Sequence, residues 1–279
     1  MRLTDITALA RPIDPNYPTN RAIALLALVV MVVGAILQWV GGAPLLESAG
    51  WGVSAGLSVF LSWALARELD PDHDLSAFVA AALMLFGLLL FNLPDLLALF
   101  WLILALRTIN RTEGLPARPL DSLAILGLGS WLVWQGNWIA GLMTLVVFVL
   151  DSVLSPRLRR HSILAGVALG TVAVLIAFHG DLVMGRRPYP LTVITVAAAS
   201  VLFLALVLTS RHIQAVGDAT GEPLSSRRVQ AAQVLALVTG LLATWWDGTA
   251  GVGALLPLWA AILGTGLYRL GLLVVSCSR

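Results

Sequence analysis

Lysine is absent from this sequence of 279 residues, and charged side chains of all kinds make up only 11% of it. Soluble domains carry about 25% charged residues, because polar groups must meet water over most of the surface. A chain with so few charges and 59% hydrophobic residues has too little polar surface for a soluble fold. We therefore expect lipid, rather than water, to surround most of the folded chain.

The absence of lysine also excludes a phosphate-binding loop of the Gly-x-x-x-x-Gly-Lys type. Cys277 is the single cysteine, so an intrachain disulfide and a cysteine-based metal cluster are excluded. A zinc helix is excluded as well, since the sequence has no His-Glu-x-x-His motif. The arginines are dispersed between hydrophobic segments, and the formal net charge is only +2. This pattern argues against nucleic acid as a partner.

Long hydrophobic runs dominate what is present. A helix needs about 20 apolar residues to cross a bilayer. Ten segments reach or approach that length, at 22–41, 51–67, 76–91, 94–109, 121–136, 138–155, 162–179, 190–209, 228–246 and 253–274. The third, fourth and fifth of these are short, so eight or nine spans is the alternative. The pattern predicts an all-α, polytopic membrane protein with about ten transmembrane helices arranged as hairpins.

The polar connections between the segments predict the orientation of the chain. With the N-terminus in the cytoplasm, every arginine except Arg186 and Arg187 lies at or near the cytoplasmic side. This is the asymmetry that the positive-inside rule describes. We expect one transmembrane domain, residues 22–275, between a cytoplasmic N-terminal segment, 1–21, and a cytoplasmic C-terminal tail, 276–279. The arginine bias and the compact loops favour a bacterial inner membrane.

The most polar part of the sequence is the loop between the second and third segments. It contains Asp70, Asp72, His73 and Asp74. Hard cations prefer several oxygen ligands, so these side chains are candidate metal ligands for Mg²⁺, which would in turn hold a diphosphate. The alternative is a solvated turn, in which Pro71 ends one helix and Asp72 or Asp74 caps the next.

A second polar cluster contains His179, Asp181, Arg186 and Arg187, on the side predicted to lie outside. The two arginines break the positive-inside pattern, and guanidinium groups bind carboxylates and phosphates well. The four residues are candidates for binding a substrate or an anionic headgroup. The alternative is that the arginines pair with Asp181 and Asp247 at the surface.

Asp151 is the ionisable residue that lies nearest the interior of a predicted span. An intramembrane carboxylate is a candidate functional group by default, so Asp151 joins the candidate substrate-binding residues. The alternative is an ion pair with Arg157 or Arg107 near the membrane surface. No span carries a deep carboxylate of the kind that proton-coupled pumps use, which counts against an ion-driven transporter.

Small residues recur within the predicted spans. Gly166 and Gly170 have the four-residue spacing that lets two helices approach closely. We expect this pair to pack inside the bundle, with contact between two copies of the chain as the alternative.

These features favour a transporter or permease that handles a small or amphipathic solute, since many spans with little soluble mass are typical of such proteins. The first alternative is an intramembrane enzyme that acts on a lipid-linked or diphosphate substrate through residues 68–74. The second is a structural or assembly subunit. The expected partners are the bilayer and anionic lipid headgroups. The sequence predicts no cofactor besides Mg²⁺ in the acidic loop, and it leaves the oligomeric state open.

Overall fold

The computed structural model describes residues 7–10, 14–179, 185 and 187–277. In these residues the regular structure is helical and contains no strand, which confirms the all-α fold class. The helices are α1 Pro18–Val40, α2 Leu45–Leu69, α3 Asp74–Gly87, α4 Leu96–Asn110, α5 Pro119–Trp134, α6 Trp138–Val153, α7 Arg160–His179, α8 Pro190–Thr209, α9 Ser226–Asp247, α10 Thr249–Ala254 and α11 Leu256–Cys277.

Each of the ten apolar segments coincides with one helix, and α10 adds a short helix before α11. Five helices, α1, α2, α8, α9 and α11, are long and apolar enough to cross a membrane. Helices α3 to α6 have only 14 to 16 residues. Length and composition thus indicate a membrane-embedded chain, while the full number of spans stays a prediction.

Local sequence explains several helix boundaries. Proline stands in the first turn of α1, α5 and α8, where its missing N–H costs no hydrogen bond. Asp95 and Asn137 cap α4 and α6, because their side chains accept from the backbone N–H of Ala98 and Ala140. Helix α4 ends at Arg111, which adopts a left-handed conformation with φ of 55°. These signals determine where the central helices begin and end.

The helix ends form two distinct faces of the bundle. At the arginine-rich end, the C-termini of α2, α4 and α6 meet the N-termini of α5, α7 and α9. Glu68 at the end of α2 contacts Arg107 of α4, and Asp151 of α6 contacts Arg228 of α9. At the far end, the N-termini of α4 and α6 lie beside the C-terminus of α9. The central helices therefore alternate in direction.

Helix α1 contacts the rest of the bundle mainly through α2. Glycines make this contact close, since a Cβ at Gly52 would lie 2.3 Å from the carbonyl oxygen of Met31, and one at Gly56 would lie 2.6 Å from that of Ala27. The segment also has the Gly-x-Ser-x-Gly spacing of a hydrolase nucleophile, which sits on a strand-to-helix turn. Ser54 instead lies inside α2 and donates to the carbonyl one turn earlier at 2.9 Å. The glycines here support helix packing.

Gly166 and Gly170 lie on an exposed face of α7. Nothing lies within 4 Å of the position that a Cβ would take at either glycine. The expectation that this pair packs inside the bundle is therefore wrong. Helix α7 contacts α5 and α6 through a different face, on which Ala165 and Ala168 are buried. Contact between two copies of the chain stays a prediction.

Helix α4 lies at the centre of the bundle. It contacts α2, α5, α6 and α9, and Leu99, Leu102, Leu106 and Ile109 are fully buried along it. Where the surroundings are lipid, such contacts stabilise a bundle through close packing rather than by removing apolar surface from water. Helices α4, α6 and α9 pack against one another, and together they carry polar side chains at both ends of the bundle.

Candidate functional site

Four ionisable side chains meet inside the arginine-rich end, and we call them the ionic layer: Arg111, Asp151, His161 and Arg228. Oδ1 of Asp151 lies 3.0 Å from a guanidinium nitrogen of Arg111 and 2.7 Å from one of Arg228. Oδ2 of Asp151 lies 2.8 Å from Nδ1 of His161. Asp151 and His161 are fully buried, while the side chains of Arg111 and Arg228 expose 8% and 2% of their surface. A charge buried this deeply requires such partners.

The guanidinium group of Arg228 joins three helices. Besides Asp151 of α6, it donates to the carbonyl oxygen of Ile109 in α4 and to three carbonyl oxygens in the loop after α6. These bonds are 2.7 to 3.1 Å long. Arginine suits this position because its five N–H groups lie in one rigid plane, whereas the N–H groups of lysine share one nitrogen.

Local structure explains why these residues converge. The left-handed turn at Arg111 ends α4 at the level of the layer. Asp151 lies in the last turn of α6 and His161 at the start of α7, so the connection between them returns the chain to the same level. Arg227 and Arg228 are adjacent in the first turn of α9, and one is exposed while the other faces inward.

Sequence reasoning identified Asp151 but not its partners. The two expected partners were wrong, since Arg157 is exposed and Arg107 instead pairs with Glu68 at 2.9 Å. His161 matched no motif, and the one available signal was that it is among only 4 histidines in the chain. The positions of these partners depend on loop geometry that hydropathy does not encode.

A short N-terminal segment, residues 7–10, covers part of the arginine-rich end. Asp121 of α5 accepts from the backbone N–H of Ala8 at 2.9 Å and from the hydroxyl of Thr7. Arg107 of α4 donates to the carbonyl oxygen of Leu9 at 2.9 Å, and the side chain of Leu9 is buried in the core. The segment therefore bridges α4 and α5 next to the ionic layer.

Ser122, His161 and Asp151 form a line of polar groups. Oγ of Ser122 lies 2.8 Å from Nε2 of His161, and Nδ1 of the same ring faces Asp151. Serine hydrolases use the same order of groups to activate a nucleophile. Ser122, however, is 1% exposed, and it lies outside the cavity at the opposite end of the central helices. The geometry fits the exchange of a proton rather than attack on a substrate.

The far-end cavity lies between the opposite ends of the central helices. Its lining comes from α4, α6, α9 and the region of α10, and consists of Asp95, Ala98, Trp101, Leu102, Asn137, Ile139, Ala140, Thr239, Ala243, Asp247, Gly251, Ala254 and Leu255. The space measures about 40 Å³, which admits ordered water but no larger solute. Asp247 is exposed at the rim, while Thr239 is buried about 12 Å further along α9.

The carboxylates of the acidic loop bind separate partners. Asp70 lies 3.1 Å from His73 and 3.2 Å from a guanidinium group of α11. Asp74 pairs with Arg67, and Asp72 accepts from two backbone N–H groups in the loop after α8. Among the described residues, no three His, Cys, Asp or Glu side chains are grouped to hold a metal ion. The Mg²⁺ site stays a prediction, and it would require these carboxylates to leave their present partners.

The second predicted cluster falls largely outside the described residues. Arg186, Asp181 and the side chain of His179 lie outside them. Arg187 is described and exposed. The backbone N–H of Gly185 donates to a carbonyl near the end of α9 at 2.9 Å, which puts Gly185 beside the rim of the far-end cavity. Its predicted role in binding a substrate or headgroup stays a prediction.

Comparison of the chain with protein-family models, with curated proteins and with solved structures gave no match. The interpretation of the site therefore rests on its geometry. Two features carry that interpretation, the ionic layer at one end of the central helices and the cavity at the other.

Proposed function

We propose that the chain is a permease, which moves a small or amphipathic solute across a membrane by opening alternately at its two ends. In this proposal, ten helices cross the bilayer in alternating directions, and the arginine-rich end faces the cytoplasm in accord with the positive-inside rule. Five helices already have the length and apolarity of a span. The shorter ones would need a locally thinner bilayer or shelter behind longer helices.

One observation carries the proposal: the far-end cavity and the ionic layer lie on the same three helices, α4, α6 and α9. Thr239 in the cavity and Arg228 in the layer are about 16 Å apart along α9. Buried apolar side chains, including Leu106 and Phe148, fill the interval between them. This arrangement supports a path that is closed by ion pairs at one end and partly open at the other.

The ion pairs of the layer are suited to hold a closed state. Separation of a buried carboxylate from its guanidinium partners is costly unless other groups or water replace them. Small shifts of packed helices switch such contacts between discrete arrangements. Movement of α9 relative to α6 would break the contact between Asp151 and Arg228 and release the loop after α6 at the same time.

Thiol labelling from each side of the membrane tests the proposal without knowledge of the solute. In a Cys277→Ser background, the Thr239→Cys variant should react with a membrane-impermeant thiol reagent added outside intact cells, because the far end of a permease opens wider than the water-sized cavity during its cycle. The Thr265→Cys variant is the matched control, since both threonines are buried and donate to the carbonyl four residues earlier. Thr265 does not line the cavity. We expect the control to react about tenfold more slowly, which corresponds to a difference of about 1.4 kcal/mol in activation free energy.

In inside-out vesicles, the closed layer should protect the Thr239→Cys variant from the same reagent. The added substitution Asp151→Asn leaves two guanidinium groups without their carboxylate, so labelling from the cytoplasmic side should increase. Arg111→Gln is a milder substitution for the case in which Asp151→Asn prevents folding. Absence of labelling from both sides in every variant would contradict the permease.

The described geometry gives the enzyme alternative less support. That alternative needs Asp70, Asp72 and Asp74 to converge on one pocket, and each of them binds a different partner. The alternative of a structural subunit accounts for the ionic layer as a stabilising contact, but it gives the far-end cavity no role.

A further inference from the structure

The hydroxyl group of Ser122 has two acceptors within hydrogen-bond distance but only one proton. Its Oγ lies 2.8 Å from Nε2 of His161 and 3.1 Å from the carbonyl oxygen of Arg118. When Nε2 carries no proton, the hydroxyl donates to it. When Nε2 carries a proton, it donates to Oγ, and the hydroxyl turns to the carbonyl of Arg118. The site therefore offers hydrogen bonds to both forms of the ring.

The other ring nitrogen determines where a proton can bind. Nδ1 of His161 lies 2.8 Å from Oδ2 of Asp151, an ionic contact without hydrogen-bond alignment, and neither atom has a hydrogen-bond partner among the described residues. Two unprotonated acceptors would repel each other at this distance, so Nδ1 carries the proton. In the neutral ring, the lone pair then lies on Nε2, which faces Ser122. A proton that enters the layer binds to that atom.

Charged side chains stand on α7 itself and on the elements around the ionic layer. They are Asp151 of α6, which contacts His161, Asp121 of α5, Arg111 after α4, Arg228 of α9 and Arg160 of α7. Asp121 already accepts from the N-terminal segment and from the backbone N–H of Arg118. Arg160 donates to the carbonyl oxygen of Ala117. The layer itself holds one carboxylate against two guanidinium groups, so a proton on His161 adds a third positive charge around Asp151.

The added charge weakens the layer for an electrostatic reason. Like charges repel strongly in a buried site, where water screens them little. The ring also competes with Arg111 and Arg228 for the single carboxylate. Separation of α9 from α6 relieves this repulsion and admits water to the three cations.

We infer that His161 is a proton-binding site and that proton uptake there opens the cytoplasmic end of the permease. The inference rests on the proposed function and names its coupling ion. The proton adds to the lone pair of Nε2, no covalent bond breaks, and the proton returns to water when the layer closes. The lack of a deep carboxylate counted against an ion-driven transporter. An ionisable group at the helix ends, such as His161, would also provide a binding site for the coupling proton.

Labelling of the Thr239→Cys variant in inside-out vesicles, in the Cys277→Ser background, tests the inference. The probe is a charged methanethiosulfonate, and the exposed Ser276→Cys variant supplies the reference rate. The ratio of the two rates corrects for the loss of thiolate at low pH that both cysteines share, and the His161→Gln variant controls for the difference between the two thiols. We expect this ratio to rise about tenfold as the pH is lowered from about 8 to about 5.5. The His161→Gln substitution should abolish the rise.

A ratio that stays flat in the parent, or that rises equally in His161→Gln, overturns the inference. If the Thr239→Cys variant reacts from outside yet shows no pH effect from the cytoplasmic side, the inference alone fails. If it reacts from neither side at any pH, the proposed function fails with it.

Discussion

The Arg228→Ala substitution is expected to lower the free energy of unfolding by about 3 to 5 kcal/mol, the usual cost of removing one partner of a buried ion pair. The guanidinium group donates to Asp151 and to four backbone carbonyl oxygens. The truncation leaves these acceptors without their donor in a site closed to water, and each costs free energy when unsatisfied. Unfolding in mixed detergent micelles, followed by tryptophan fluorescence, measures the change.

Arg227→Ala is the matched control for this prediction. Arg227 carries the same charge one residue earlier in α9, but its side chain is exposed. An exposed substitution of this kind usually changes stability by no more than about 0.5 kcal/mol. Arg228→Lys should recover only part of the loss, because lysine lacks the planar fork that reaches several carbonyls at once. Equal stability of the Arg227→Ala and Arg228→Ala variants would show that the ionic layer does not stabilise the bundle.

The Gly52→Ala substitution in α2 is expected to destabilise the protein by about 1 to 3 kcal/mol, the range found when a close-packed contact is overfilled. The added methyl group would lie 2.3 Å from the carbonyl oxygen of Met31 and 2.8 Å from Ala35. Backbone atoms of α1 cannot move away without separating the two helices. The same unfolding measurement, combined with a cysteine crosslink between α1 and α2, reports both effects.

Gly50→Ala should have the opposite sign. Gly50 lies two residues earlier in the same helix and is exposed. Nothing lies within 4 Å of the position that a Cβ would take there. Alanine there removes the conformational cost of a helical glycine, which is worth about 0.5 to 1 kcal/mol. A stabilising effect at both positions would contradict the close approach of α1 and α2.

The helices follow directly from hydropathy, and this is why their positions could be predicted. Each apolar segment between 22 and 274 became one helix, because a backbone in lipid must satisfy its own hydrogen bonds. Packing faces were harder to predict. Gly166 and Gly170 have the spacing of an internal contact, but which side of α7 faces the bundle depends on α5 and α6. The pattern of one helix does not contain that information.

The candidate site was predictable only in part. Asp151 stood out because a carboxylate within an apolar segment is rare. Its partners Arg111 and Arg228 looked like ordinary loop arginines, since the left-handed turn at Arg111 has no sequence signature. The acidic loop shows that closeness in sequence does not imply shared contacts. Asp70 and Asp72 are close in sequence, yet their side chains bind α11 and the loop after α8, respectively.

The contact between the N-terminal segment and Asp121 has a consequence for biosynthesis. Thr7 and its acceptor are separated by 114 positions, and the ribosome adds about 5 to 20 residues per second. The segment that contains Thr7 is synthesised before Asp121 and therefore waits several seconds before its docking surface exists. The segment therefore docks onto the bundle late in assembly. A fusion attached upstream of Thr7 would interfere with this docking rather than with the insertion of the first helices.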